Sequence, residues 1–491
     1  MFLLRNEETI KRYMWIFMSI LILLTALGGI LKISLLIYFF FIFGFIYFLY
    51  LPKQYIYFLI LIWPFTFLHN QFNIYVKVLG IILLFIQIIK KKAKIKYSYF
   101  QIFFIAFIFI GFISYIISLF YKSSIGRVTG YKVIFGFSSL GFQNLFQYFY
   151  IICLSFLILN LFNNKNEIIN LVKLFINVGI ISSIIGLFIY LLYSLDLSIV
   201  IPNVIREFPG PQQGVWDNRL AGTAFEPLAF GNQIGIMIPL TIGLFILCSK
   251  DKLKYSIYLF IEFLTLILTF SSGAWISTFV SVIGFFVFLI SVYGRKYINK
   301  KIIAKGIAVI GILGFFLIGT LYFTDNLNYV KFVISDKFKG SQSMNERRAM
   351  NTILLKTFKE YPVIGVGIGR YVFYIDKYGP AGKKQFKFIP RPVPAGWRAN
   401  NDYFTILAET GILGSSFFVI SFIFIFRETF FNTFKFRRDR YFILLCSILT
   451  SICIILIQMA VAFLIYSYYL WILIGLALVF ARNYKETGET N

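Results

Sequence analysis

Acidic residues, histidine and cysteine are all scarce here: 20 Asp or Glu, one His and 4 Cys in 491 residues. Each scarcity excludes something. With His69 as the single imidazole and Cys153, Cys248, Cys446 and Cys453 scattered, no ligand spacing suits a structural zinc site. A Ser-His-Asp triad would have to draw in His69, which reads instead as a head-group-level residue at the outer end of a span. The cysteines lie in or at the ends of apolar segments and read as small core residues rather than disulfide partners. Charge is thin overall, 14% of residues. With 59% hydrophobic residues and a mean hydropathy of +0.82, this excludes an ordinary soluble globular chain. No metal, other cofactor or nucleic-acid partner is expected.

What is present is membrane. Apolar runs near the ~20 residues needed to cross a hydrocarbon core fall at 13–30, 34–50, 55–69, 73–89, 98–120, 145–162, 168–194, 227–248, 254–271, 273–293, 303–323, 403–426, 441–457 and 460–481. The expected fold is an all-α polytopic membrane protein of about fourteen transmembrane helices, one membrane domain over 1–491. Arg5, Lys11 and Arg12 precede the first span and no small-residue cleavage site follows it, so a retained helix with a cytoplasmic N-terminus is expected. The clusters at Lys90, Lys250, Arg295 and Lys435 each follow an even-numbered span, as the positive-inside rule requires. Both termini then fall inside.

Three outer segments exceed simple turns: Tyr121 to Asn144, Asp196 to Glu226, and Thr324 to Asp402. They are expected to converge. The third is a large outer-face (periplasmic or extracellular) loop with fourteen Lys or Arg against six Asp or Glu, a surface suited to an anionic substrate. Within it Met350, Ile353, Leu354, Leu355 and Phe358 predict an amphipathic helix lying on the membrane or on the span ends. Tyr361-Pro stops that helix, and Gly365-Val-Gly-Ile-Gly-Arg370 reads as a flexible turn. No internal repeat suggests a two-halved transporter.

An anionic substrate needs cations to hold it, and the arginine fork keeps its charge near lipid. The outer-face candidates are Arg219, Arg347, Arg348, Arg370, Arg391 and Arg398, with Arg219 and Arg370 favoured for their neighbouring glycines. Any of them could instead bind lipid head groups. For general acid–base work the candidate proton acceptors are Glu226, Asp402 and Glu409, Glu226 first. Glu226, just before Pro227, could equally cap a helix, and Glu409 could be a buried ion-pair partner. Glu262, mid-span, is expected to face a partner inside the bundle. Trp216, Trp397, Tyr371, Tyr374 and Tyr403 could stack on sugars or anchor at the interface.

Arg219-Leu-Ala-Gly-Thr-Ala-Phe-Glu-Pro, Leu268-Thr-Phe-Ser-Ser-Gly-Ala, Arg348-Ala-Met-Asn through Glu360-Tyr-Pro-Val-Ile-Gly-Val-Gly, and Asn401-Asp-Tyr-Phe-Thr-Ile-Leu-Ala-Glu-Thr-Gly occur in that order. This ordered set, spanning 219–414 around the 324–402 loop, resembles the O-antigen polymerase and ligase family. The resemblance implies a metal-independent GT-C-type glycosyltransferase of the bacterial cytoplasmic membrane with its active site facing outward. It further implies undecaprenyl-pyrophosphate-linked glycans as donor and acceptor, membrane lipids as surroundings, and work either alone or with a chain-length regulator. It implies catalytic roles for Glu226, Arg219, Asp402 and Glu409, and substrate-binding roles for Arg370, Arg348, Arg347, Arg398, Asn400, Asn401 and Tyr403. Two departures weigh against a ligase that moves finished glycan to lipid A or protein, and in favour of a polymerase. Asn400 stands where ligases commonly have His, and Ser272 stands where Arg often follows Ser. A flippase, the alternative of another class, should need two halves and no large outer loop.

Overall fold

The computed structural model describes residues 44, 47–64, 66–90, 95–120, 133–134, 137–195, 215–216, 219–224, 226–248, 250–297, 342–380, 382–383, 386–387, 389, 398–437, 439 and 441–488. Their helices are α1 (Pro52–Ile62), α2 (Thr66–Lys90), α3 (Tyr99–Ser118), α4 (Ser139–Leu161), α5 (Lys165–Ser194), α6 (Pro227–Leu247), α7 (Lys252–Leu268) and α8 (Ser272–Tyr297), followed by α9 (Gln342–Glu360), α10 (Ile375–Tyr378), α11 (Asp402–Phe426), α12 (Phe442–Gln458) and α13 (Tyr468–Gly488). Two antiparallel ribbons, β1 (Val133–Ile134) with β2 (Phe137–Ser138) and β3 (Val215–Trp216) with β4 (Arg219–Leu220), complete them.

Among the described residues six helical segments, in α3, α4, α5, α6, α8 and Asp402–Phe436, are long and apolar enough to cross a membrane, and Phe442–Gln458 and Tyr468–Tyr484 are shorter apolar helices. The protein is an all-α membrane protein. The expected spans 13–30 and 303–323, and most of 34–50, lie outside the described residues.

Small residues let the helices approach closely, as expected where lipid supplies no hydrophobic drive between them. Gly179 of α5 faces Met237 of α6, Gly243 of α6 faces Ser447 of α12, and Gly475 of α13 faces Ile158 of α4. Aromatic rings fill the wider gaps: Phe100, Phe104, Phe107, Tyr148, Phe418 and Trp471 form a run of stacked, tilted and edge-on contacts between 4.6 and 6.3 Å. Cys153 and Cys446 are buried, Cys248 and Cys453 half-buried, and all four are free. Glu262 is sealed in the bundle, where the Thr241 hydroxyl donates to its Oε1 (2.7 Å).

Two boundaries differ from the expected spans. The break placed at 70–72 falls at Trp63–Pro64, so His69 lies in α2 and not at the end of the span before it. A Pro in the first turns of a helix is tolerated but Pro64 cannot continue α1 unbroken, whereas nothing in 70–72 stops a helix. Residues 460–467, expected to begin the last span, belong to an irregular stretch, 459–467, between α12 and α13. Its amides find their acceptor elsewhere in the fold, as described below.

The two ends of the bundle differ chemically. One end is laced by ion pairs and arginine: Lys53 with Glu167, Lys165 with Asp439 (2.9 Å), and the Arg482 guanidinium on the carbonyls of Leu159 and Phe162. The other end carries the outer-loop structure. There α9 lays Ala349, Met350, Ile353 and Leu354 against a small core with Val366, Tyr371, Tyr374, Ile375 and Ala408. The amphipathic helix therefore rests on the span ends. Leu140 joins that core, and Gly369 packs against Gly141, so the first and third outer segments meet.

Candidate active site

The turn expected to be flexible is the most constrained backbone at this end. Gly365, Gly367 and Gly369 have φ of +70°, +92° and +72°, and residues 365–370 are all buried. A Cβ on Gly365 would stand 2.4 Å from the Glu409 carbonyl carbon, and one on Gly367 2.4 Å from the Ser118 hydroxyl. Alternate glycines are needed because the strand is threaded between α3, α4 and α11 with no room for side chains. α11 opens to receive it: Gly411 is non-helical (φ 63°, ψ −167°). The groups freed by that break are matched to the strand. Val366 and Gly367 N–H donate to the carbonyls of Ala408 (3.0 Å) and Glu409 (2.9 Å), and Ile412 and Leu413 N–H donate to Pro362 (2.8 Å) and Val363 (3.1 Å). A buried helix tolerates such an interruption where freed groups find protein partners, as these four bonds provide.

Within that frame the candidate carboxylates separate. Glu409 is 2% exposed and its Oε1 accepts the Gly369 N–H at 2.7 Å, so the strand is fastened to it by side chain as well as backbone. Asp402 is fully buried at the first position of α11. Its Oδ2 accepts N–H bonds from Leu464 (2.7 Å) and Ile465 (3.0 Å), while its own N–H donates to the Met459 carbonyl (2.9 Å). These bonds hold the irregular 459–467 segment in place. Asn401 caps α11, accepting from Phe404 N–H at 3.0 Å.

Glu226 differs from both. It is the residue before α6, extended, with Pro227 at the first helical position, and its side chain makes no capping bond. Arg347, from α9, and Arg219, from β4, both lie within electrostatic reach of it. Burial pushes the Glu226 carboxyl above the usual carboxylate range, opposed first by Arg347 and then by Arg219. Burial likewise draws the Arg347 guanidinium down from its ordinary value, opposed by Glu226 and Glu346. Among the described residues the buried Arg347 Nε has no hydrogen-bond acceptor. Arg219 donates its Nε to the Thr269 carbonyl (3.1 Å), beside Phe270, which has a left-handed φ of 47°. That strained corner belongs to the Leu268-Thr-Phe-Ser-Ser-Gly motif. Here the second and third outer segments meet, around one acid and two guanidiniums.

The other candidates disperse. Arg370, 5% exposed, lies 5.7 Å from the Phe373 ring, with Tyr374 and Tyr115 in electrostatic reach, and burial lowers its guanidinium from the ordinary value. Its described neighbours are on α3 and the turn before α10, so the structure joins Arg219 to Arg347 rather than to Arg370. Arg348 is exposed on the opposite side of α9 from the core, and Asn400 is exposed. The Tyr403 hydroxyl donates to the Leu456 carbonyl (2.6 Å). Arg398 lies 4.6 Å over Phe463 and 5.4 Å from the Tyr466 ring, with Asp402 and Glu409 in electrostatic reach. Arg391 and Trp397 lie outside the described residues. A cleft lined by Asn166, Lys173, Leu247 and Tyr441 sits at the ion-paired end of the bundle, away from all of these.

Sequence reasoning missed two features. Lys77, on α2, is 9% exposed, and a lone lysine within an apolar run was the signal for it. The 459–467 segment carries no Pro or Gly, so nothing local announces that it leaves the helix.

Residues 257–419 match the family model for O-antigen ligase. The match starts within α7 and ends beyond the break in α11, taking in the outer loop and leaving Arg219 and Glu226 just before it. No curated protein matches the chain. With the ordered motifs between Arg219 and Gly414, the match supports assignment to the O-antigen polymerase and ligase family, and a role in polysaccharide assembly.

Proposed function

We propose that this chain, which carries an O-antigen ligase-family domain, polymerises undecaprenyl-diphosphate-linked repeat units at the outer face of the bacterial cytoplasmic membrane. The observation that carries the proposal is Glu226 with Arg347 and Arg219 both in electrostatic reach, two cations delivered by separate outer segments. In this reading an acceptor sugar hydroxyl attacks the anomeric carbon of the donor. Its proton passes to Glu226, the C–O bond to the diphosphate breaks, and the electron pair leaves on undecaprenyl diphosphate. Arg219 and Arg347 hold the growing charge on that leaving group, which is where preorganised donors lower a barrier most. The like response of Glu226 and Arg347 to burial supports a partly dehydrated site, in which such contacts are strongest. Asp402 and Glu409, each bonded to main-chain amides, are read as holding the site together.

The ligase reading keeps the same donor chemistry but needs an acceptor base beside α11, where this chain offers the exposed amide Asn400. Purified full-length protein incubated with lipid-linked repeat units separates the readings. A ladder of lengthening products is expected, and Glu226→Gln should slow it by about 10²–10⁴-fold with donor binding retained. Transfer of a single glycan to lipid A core with no ladder would establish the ligase, and transbilayer movement without glycosidic product would establish a flippase.

A further inference from the structure

The cleft at the ion-paired end of the bundle has a chemistry of its own. Most of α5 is apolar, yet its Asn166, Asn170, Lys173 and Asn177 fall at i, i+4, i+7 and i+11 and so share one face. Asn177 is engaged, because the Tyr258 hydroxyl of α7 donates to its Oδ1 (3.2 Å). The other three line the cleft, against an apolar wall of Ile169, Leu244 and Leu247. The cleft opens where α6 and α12 part. One turn before Leu247 they are closed, with Gly243 against Ser447.

Lys173 is half-buried and stands eight residues into the helix from Lys165, a depth of about 12 Å. An ammonium that deep in a span is costly unless it reaches water or an anion. Acids of this end are engaged elsewhere: Glu167 with Lys53, Asp439 with Lys165, and Glu428 with the Tyr99 N–H (2.7 Å). Among the described residues the side chains of Lys173, Asn166 and Asn170 have no partner. One cation and two amides beside an apolar wall suit a phosphodiester, whose free oxygens accept hydrogen bonds and whose ester carbons are apolar. The cleft holds about 240 Å³, below the roughly 300–1,000 Å³ of drug-sized sites. A phosphate and its glycerol fit, and acyl chains must lie outside. Lys250 and Lys252, exposed just past Cys248 on the cleft wall, outnumber Asp251 between them and draw anions to the mouth. We propose that this cleft binds the phosphate of an anionic lipid from the leaflet at that end, held by Lys173 with Asn166 and Asn170. The apolar wall favours a lipid over free phosphate. The site is independent of the glycosyltransferase reading, which concerns the other end of the bundle.

Thermal unfolding of the full-length protein in detergent, with dioleoyl phosphatidylglycerol titrated in, tests it. A saturable rise in the midpoint is expected, since a ligand of the folded state stabilises that state. Lys173→Gln should raise the half-maximal lipid concentration about tenfold or more, as loss of a charge-assisted contact does. Asn170→Leu should raise it by a smaller factor, Lys173→Arg should keep it, and Lys359→Gln at the other end should leave it unchanged. If Lys173→Gln does not fold, Asn170→Leu and Lys173→Arg carry the test, and an Asn170→Leu protein that responds like wild type overturns the site. No rise with the wild-type protein, an unchanged half-maximal concentration in Lys173→Gln, or an equal response to phosphatidylcholine, whose choline neutralises the phosphate, also overturns it. A rise produced by inorganic phosphate alone and lost in Lys173→Gln overturns the lipid as the source.

Discussion

Half-buried Glu226 and buried Asp402 are both acids at helix starts, and their surroundings give them opposite expectations. Glu226 has two cations in reach and no capping bond, so its ionised form is the one positioned to take a proton. Its carboxyl titrates above the ordinary Glu value of about 4.3, because burial outweighs Arg347 and Arg219. Turnover that needs ionised Glu226 therefore falls with an acid limb above that value. Arg347→Gln removes a cation that lowers the Glu226 pKa, so in the pH profile of kcat/KM that limb should move further up; a limb that stays put or moves down refutes the assignment. Asp402 makes a different prediction. An amide oxygen at Asp402→Asn can still accept from Leu464 and Ile465, so this variant should keep most of its activity, within about tenfold. Asp402→Ala frees the 459–467 segment and should lose it. If Asp402→Asn is as dead as Asp402→Ala, Asp402 is the proton acceptor.

At the scale of elements, the strand through Gly365, Gly367 and Gly369 and the break at Gly411 form one device, each supplying what the other lacks. The repeated glycines were plain in the sequence, but glycine marks both free hinges and crowded crossings, and local sequence does not distinguish them. Gly367 and Gly382 provide the test, since both have φ +92°, yet a Cβ meets Ser118 and Tyr115 at Gly367 and nothing within 4 Å at Gly382. Gly382→Ala should cost only about 1–2 kcal/mol of left-handed strain. Gly367→Ala carries the same strain plus the clash and should cost clearly more, read as thermal unfolding in detergent. Equal losses would mean that the crossing is not closed.

For the whole molecule, helices alternate in direction between an ion-paired end and an end built from outer-loop structure. The Lys and Arg clusters follow the spans that finish at the ion-paired end, so that end is expected to be cytoplasmic. With an impermeant thiol reagent on intact spheroplasts, in a background with the native cysteines replaced, Lys359→Cys on α9 should label and Lys252→Cys at the start of α7 should not. Both side chains are exposed, so access depends on sidedness alone. The reverse pattern would turn the site inward and end the outward-facing reading.

Hydropathy and the 3.6-residue period determined from sequence that the chain is a helical membrane protein, and that α9 is amphipathic with Met350, Ile353 and Leu354 on its buried side. Those properties belong to single segments and survive without knowledge of their neighbours. The order of the motifs likewise identified Arg219, Glu226 and the α11 start as the region to examine. That Arg347 also meets Glu226 was not legible, because the two are 121 positions apart in numbering and approach only through the docking of α9 on the span ends. Nor was the unwinding of 459–467, an apolar run with good helical composition. Two of its amides, those of Leu464 and Ile465, find their acceptor in the buried Asp402 carboxyl, 62 positions before Leu464. Hydrogen bonding across a dry interior outweighed local propensity there, and only the tertiary structure brings those groups together.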